Sequence, residues 1–164
     1  FAHSVCMPDE YQAFTSFTHL PMNKESVLCM PDNYNGYRFM NIGIDQMMGM
    51  IEKSVRHGHP VCWEGDTSEE GFSFTYGIAD VDEDMRNATQ QQRQQEFEKF
   101  RTTDDHCMAI VGIAHDEKGR KFFICKNSWG TANPYGGFMY VSADYIRLKT
   151  IAIMANVYAI SPQA

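Results

Sequence analysis

No stretch of lysine and arginine in this sequence is longer than a pair such as Arg120-Lys121, and the formal charge is 14 minus 21, or −7. Nothing here gathers phosphates, so nucleic acid is not an expected partner. Long apolar runs are missing as well. The longest, such as residues 151–154, fall far short of the roughly 20 residues that span a bilayer, so no transmembrane helix and no membrane partner are expected. Residues 1–6 carry neither a basic region nor an initiator methionine and resemble neither a signal peptide nor a natural start, so the chain is expected to begin mid-protein. Cysteine is present at 6, 29, 62, 107 and 125, an odd set without short pairings. That favours reduced thiols over a disulfide framework and leans towards a cytoplasmic setting.

The 164 residues are 43% apolar and 13% aromatic, enough to bury a core without disulfides or a structural metal. Residues 14–19 are rich in β-formers, residues 31–37 are dense in turn residues, and an apolar run follows, which reads as strand, loop, strand. Ile44, Met47, Met48, Ile51 and Val55 fall at helical spacing until Gly58 and Pro60 stop the pattern, giving one main helix. Val61-Cys62-Trp63 reads as a short buried strand, and the Gln-rich residues 89–100 as a solvated helix or a mobile excursion. Residues 106–114 and 121–126 flank the turn Asp116-Glu117-Lys118-Gly119 and form a β-hairpin. Strands are expected at 136–141 and 151–158, with a short helical turn at 143–148 between them. The second half is therefore mostly antiparallel sheet. No repeat and no internal boundary interrupts residues 1–164.

The hairpin places His106 at the start of one arm and Asn127 at the far end of the other, and in an antiparallel pair those ends lie side by side. A thiol nucleophile needs such a pair: an imidazole to take its proton, and an amide oxygen to set the ring's tautomer. Trp129 is placed to cover that hydrogen bond and keep water from it. Alone, His106 reads equally well as a strand histidine satisfied by a backbone carbonyl; Asn127 and Trp129 together tip the reading towards catalysis. Cys107 adjoins His106 on a strand, so its side chain points to the opposite face, and it is expected to be a core residue. His57 and His59 with Cys62 lack a second pair at tetrahedral spacing, so neither a metal nor a cofactor is expected. The methionines at 47–50 read as core filler.

Two segments carry a resemblance. Asp105-His106-Cys107-Met108-Ala109-Ile110-Val111-Gly112 is similar to the segment around the catalytic histidine of papain-like cysteine peptidases, and Lys126-Asn127-Ser128-Trp129-Gly130 followed by Gly136-Gly137-Phe138 to the segment around their asparagine. Upstream, Thr15-Ser16-Phe17-Thr18-His19, Val27-Leu28-Cys29-Met30-Pro31-Asp32-Asn33 and residues 57–66 resemble the bleomycin hydrolase and aminopeptidase C branch. The resemblance implies an α+β papain-like fold of which this chain is the β-rich, antiparallel, barrel-like half with one main helix. It further implies His106 as general base and acid, Asn127 as its orienter, Trp129 as the hydrophobic shield, and Asp105 at the substrate cleft. It implies too that the helical half with the nucleophilic cysteine is expected to lie outside this chain. In the papain pattern that cysteine lies roughly 130 to 150 residues before the histidine, and 105 residues precede His106 here.

Two functions follow as expectations. One is a cysteine-type peptidase, aminopeptidase or oligopeptidase in kind, acting on peptide substrates, with this chain supplying His and Asn while a missing N-terminal segment or separate chain supplies Cys. The other is a non-catalytic peptide- or protein-binding module. Either way a bare cleft wall invites self-association, so a homo-oligomer or a covering partner is expected.

Overall fold

The apolar spacing from Ile44 produces the longest helix, α1 (Ile44–Arg56), which turns Ile44, Met47 and Ile51 fully inward. The helix has no side-chain cap at Gly43. Its first free N–H, on Ile44, is taken instead by Gln90 Oε1 at 2.8 Å, a side chain from another helix. At the far end His57 Nδ1 hydrogen-bonds the Lys53 carbonyl at 2.7 Å, and Gly58 turns the chain away at φ +81°. The computed structural model describes residues 8–160, so the readings of residues 1–6, Cys6 included, lie outside the described residues.

Among the described residues ten strands form a single sheet: β1 (Tyr11–Thr15), β2 (Lys24–Val27), β3 (Arg38–Asn41), β4 (Val61–Gly65), β5 (Phe72–Ser73), β6 (Ile78–Ala79), β7 (His106–His115), β8 (Lys121–Lys126), β9 (Phe138–Ser142) and β10 (Thr150–Asn156). Their order is β2-β3-β1-β10-β4-β7-β8-β9-β6-β5. That order has two ends, so the sheet is open and the barrel-like form expected from the resemblance is not closed. It is antiparallel except for β1 beside β3 and β6 beside β9. The first strand also lies further upstream than its composition suggests. Thr18 and His19 sit in a turn, because Phe17 N–H and C=O are both claimed by the Asn41 side chain at 2.9 Å.

Alternation along the central strands sorts side chains onto two faces. Val61 and Trp63 of β4, Met108 and Ile110 of β7, and Phe123 and Cys125 of β8 point into a core covered by α1 and by α3 (Ala143–Lys149). Full burial of each such aliphatic side chain contributes about 1.5–3 kcal/mol. Trp63 is completely buried because its indole N–H finds Thr150 Oγ1 at 2.7 Å. Cys62, between two buried neighbours, is exposed, and so is Cys107. The core placement expected for Cys107 is therefore corrected: its side chain does point away from His106, but the face it reaches is open.

The Gln-rich segment departs from expectation too. It forms α2 (Gln90–Glu98), opened by a capping box in which Thr89 Oγ1 accepts from Gln92 N–H and Gln92 returns the bond to Thr89. It is not merely solvated, since Arg93 and Gln94 are buried. Arg93 donates to the carbonyls of Ser16, Arg147, Leu148 and Thr150, and its guanidinium stacks over Phe17 at 4.7 Å. A polar helix can dock without an apolar face when its side chains complete the hydrogen bonding of the backbone beneath it. After β10 a last helical turn, α4 (Val157–Ile160), runs to the end of the described residues.

Candidate active site

The β7–β8 hairpin brings His106 and Asn127 together as the sequence reading expected, with His106 Nε2 2.8 Å from Asn127 Oδ1. Asn127 is buried and held on every side. Its N–H donates to the Gly137 carbonyl at 3.1 Å, its carbonyl accepts from Lys126 Nζ at 2.7 Å, and its Nδ2 lies 3.6 Å from Met139 Sδ. Oδ1 also accepts from the Ser128 N–H at 2.7 Å. Turning the amide over would set its NH2 against that N–H, so the oxygen must face the imidazole. Nε2 of His106 therefore carries the proton it donates. Nδ1, with no hydrogen bond among the described residues, keeps a lone pair.

Trp129 leans over the same ring, centroid to centroid 4.5 Å at a tilt of 33°. Although 47% exposed, the indole is held: Phe72 and Phe74 meet it edge-on at 5.9 and 5.6 Å. These two phenylalanines were not foreseen, and only a run of aromatic residues between Gly71 and Gly77 hinted at them. Asn133 was missed as well. Its Oδ1 accepts from Gly137 N–H at 2.7 Å and its Nδ2 donates to the Phe138 carbonyl at 2.8 Å, closing the loop that leads from Trp129 back to β9. Within that closure the Gly137 backbone passes so near Gly130 that a Cβ on Gly137 would lie 2.4 Å from the Gly130 carbonyl oxygen, and φ is +89°.

Asp105 is exposed beside this site. Its Oδ1 accepts both the N–H and the hydroxyl of Thr67 at 2.9 Å, and its N–H donates to the Gly65 carbonyl at 3.3 Å. Asp66 completes the frame by accepting from Ser68 and Thr103. Burial pushes the Asp66 carboxyl up, but those hydrogen bonds outweigh it and hold it below the usual carboxylate range.

Behind the strand the chemistry is different. Burial, then the charge and hydrogen bond of Asp104, then the charge of Asp32, push Glu64 up to about 7. Burial and the nearby Glu64 carboxyl push the Cys107 thiol up to about 11, which favours the protonated thiol at neutral pH. Glu64 has a consequence for stability. Below its unfolded value of 4.5 both states hold the proton; between 4.5 and about 7 only the folded state does, so stability falls as pH rises and the loss is complete above 7. Glu64→Gln is therefore expected to raise the Tm at pH 8 and to change it little at pH 4.5. Discounted for the partial exposure of the side chain, the gain is on the order of 1 kcal/mol, or roughly 2–4 °C. Thermal melts at both pH values check this; an equal shift at each would refute the linkage.

A family model described as the Peptidase C1-like family matches residues 18–160. Ananain of Ananas comosus is 38% identical over 40 residues, covering 24% of this chain and 12% of that protein. Cysteine endopeptidase Rep1 of Oryza sativa subsp. japonica is 42% identical over 40 residues, covering 24% of this chain and 11% of that protein. The crystal structure of PepW from Lactobacillus rhamnosis superposes with a TM-score of 0.74 at 17% identity, over 96% of this chain and 37% of that one. The chain thus spans little more than a third of that structure and a smaller share of the curated relatives, and the structural likeness is one of fold.

Proposed function

The chain belongs to the Peptidase C1-like family, and on that premise we propose that it supplies the histidine and asparagine of a Cys-His-Asn triad that hydrolyses peptide bonds. The observation that carries the reading is the 2.8 Å contact from His106 Nε2 to an Asn127 oxygen whose orientation is forced. With Nε2–H committed to Asn127, the Nδ1 lone pair is the group left to take a thiol's proton. The resulting thiolate–imidazolium pair attacks the scissile carbonyl carbon, and the tetrahedral intermediate collapses as Nδ1–H protonates the departing amine. Water then adds to the thioester, giving its proton to Nδ1, and the acid leaves as the thiol is restored.

Under this reading Asn127 holds the ring in one tautomer and Trp129 keeps water from the bond that does so. Asp105, tied to Thr67 and Gly65, borders the substrate cleft. The thiol comes from a segment or chain beyond these 164 residues, and the peptide substrates are those of an aminopeptidase or oligopeptidase. The test is peptide-amide hydrolysis by the full-length protein under mild reductant, with and without iodoacetamide. Turnover abolished by alkylation supports the proposal. A full-length protein that binds peptides without thiol-dependent turnover would instead be a binding module.

A further inference from the structure

Lys126 is the last residue of β8, paired with Ala109 of β7 on one side and Phe138 of β9 on the other. Alternation turns its side chain to the sheet face opposite Cys125 and Asn127. One residue further the regular pairing has ended, and the Asn127 carbonyl takes its donor from a side chain: Lys126 Nζ, at 2.7 Å. Two features hold the ammonium there. Nζ lies over the Phe138 ring, 5.5 Å from its centroid. Gly137 leaves it room, since a Cβ at that position would stand 2.8 Å from Nζ. Among the described residues no carboxylate forms a salt bridge with Lys126, so the carbonyl and the ring are what face its charge.

That carbonyl belongs to the peptide unit on which the site depends. The group joining Asn127 to Ser128 is planar and trans, so fixing its oxygen fixes the direction of its N–H. This N–H is the one that donates to Asn127 Oδ1 at 2.7 Å and forces the amide oxygen towards His106. The preceding peptide unit is anchored separately, by the bond from Asn127 N–H to the Gly137 carbonyl at 3.1 Å. The following one runs out to Ser128, which is exposed, and Lys126 is what holds it. A bond from an ammonium suits that task, being about twice as strong as one between neutral groups. Resting on the peptidase reading above, we propose that Lys126 is a positioning residue of the triad: its ammonium pins the peptide between residues 127 and 128, that peptide pins the asparagine amide, and the amide sets the tautomer of His106.

The experiment compares the full-length protein with Lys126→Met, which keeps the apolar stem and removes the donor. Thiols are first alkylated with iodoacetamide, so that no thiolate holds the imidazole charged. The tautomer of His106 is then read from its ring 15N shifts at about pH 8.5, well above the ordinary histidine value, the signals being assigned by their loss in His106→Gln. The parent ring is expected in the Nε2–H form alone, and the Lys126→Met ring in a mixture of both forms. Kinetics of the unalkylated protein should show kcat lower by roughly tenfold with KM nearly unchanged, because a misplaced base hinders the proton in transit and not the binding of peptide. Lys126→Arg, which returns a donor to the carbonyl, should restore both readouts. Lys126→Gln, whose amide ends one atom short of Nζ, repeats the comparison with a polar side chain, so that a folding defect in the methionine variant does not decide the result. A His106 ring that keeps its single tautomer without Lys126 would overturn the proposal, whatever happens to kcat. A tautomer that loosens in a protein without thiol-dependent turnover would leave the positioning role standing and remove the peptidase reading instead.

Discussion

Replacing His106 with alanine in the full-length protein is expected to lower kcat for peptide-amide hydrolysis by at least about 10³-fold, the scale of a positioned acid–base group that also sustains the thiolate. The loss should fall on kcat more than on KM, because the ring acts on the proton in transit and not on the bound peptide. Folding should survive. His106 is only half-buried at the start of β7, and among the described residues its ring hydrogen-bonds Asn127, which keeps its bonds to Ser128, Gly137 and Met139. A circular dichroism melt separates the two effects: an unchanged Tm with lost turnover supports the assignment. Retention of a tenth or more of the activity, measured under reductant, would remove His106 from the mechanism.

Replacing Arg93 with methionine is expected to be the most damaging single change to stability outside the apolar core. Arg93 is fully buried with no carboxylate beside it, and burial pushes its guanidinium down to about 9, which leaves it charged at neutral pH. Four carbonyls share that charge, from Ser16, Arg147, Leu148 and Thr150. Methionine fills the volume but leaves these acceptors short of donors in a place water does not reach, a loss of about 3–5 kcal/mol. For a chain of this size that is a fall in Tm of roughly 10 °C. Arg93→Lys should lie between, since one ammonium cannot span four carbonyls fanned across two segments. A methionine variant melting within about 2 °C of the parent, less than 1 kcal/mol by that scale, would show that the carbonyls find other donors.

Patterning made some features legible and hid others for identifiable reasons. The helix from Ile44 and the hairpin from His106 are local: each is set by spacing and a turn, and each was found. The pairing of His106 with Asn127 follows from that hairpin, so it too could be read in advance. The docking of α2 could not, because its determinants are polar side chains whose partners are carbonyls up to 77 positions away. Phe72 and Phe74 alternate with polar residues, but the partner they reach, Trp129, lies more than fifty positions away, which no local pattern specifies. Nothing in its local sequence singles out Glu64. Only burial in the fold, with Asp104 and Asp32 brought beside it, makes it a group that holds its proton near neutrality. Open versus closed sheet also lies beyond alternation, since closure depends on whether β2 and β5 meet, which no local signal specifies.

The sheet order bears on how such a chain is born. Among the described strands β10, an interior one, is made last, and it pairs with β1 on one side and β4 on the other. Until residue 156 has cleared the ribosome, β1–β3 and β4–β9 are two separate ribbons, each with a raw edge where β10 belongs. Their union waits on a segment that also carries Thr150, the acceptor for both Trp63 and Arg93. Contacts this distant in sequence are closed late and slowly, so nascent chains stalled before that point should be protease-sensitive and held by chaperones, whereas release of a few more residues should lock the whole sheet at once.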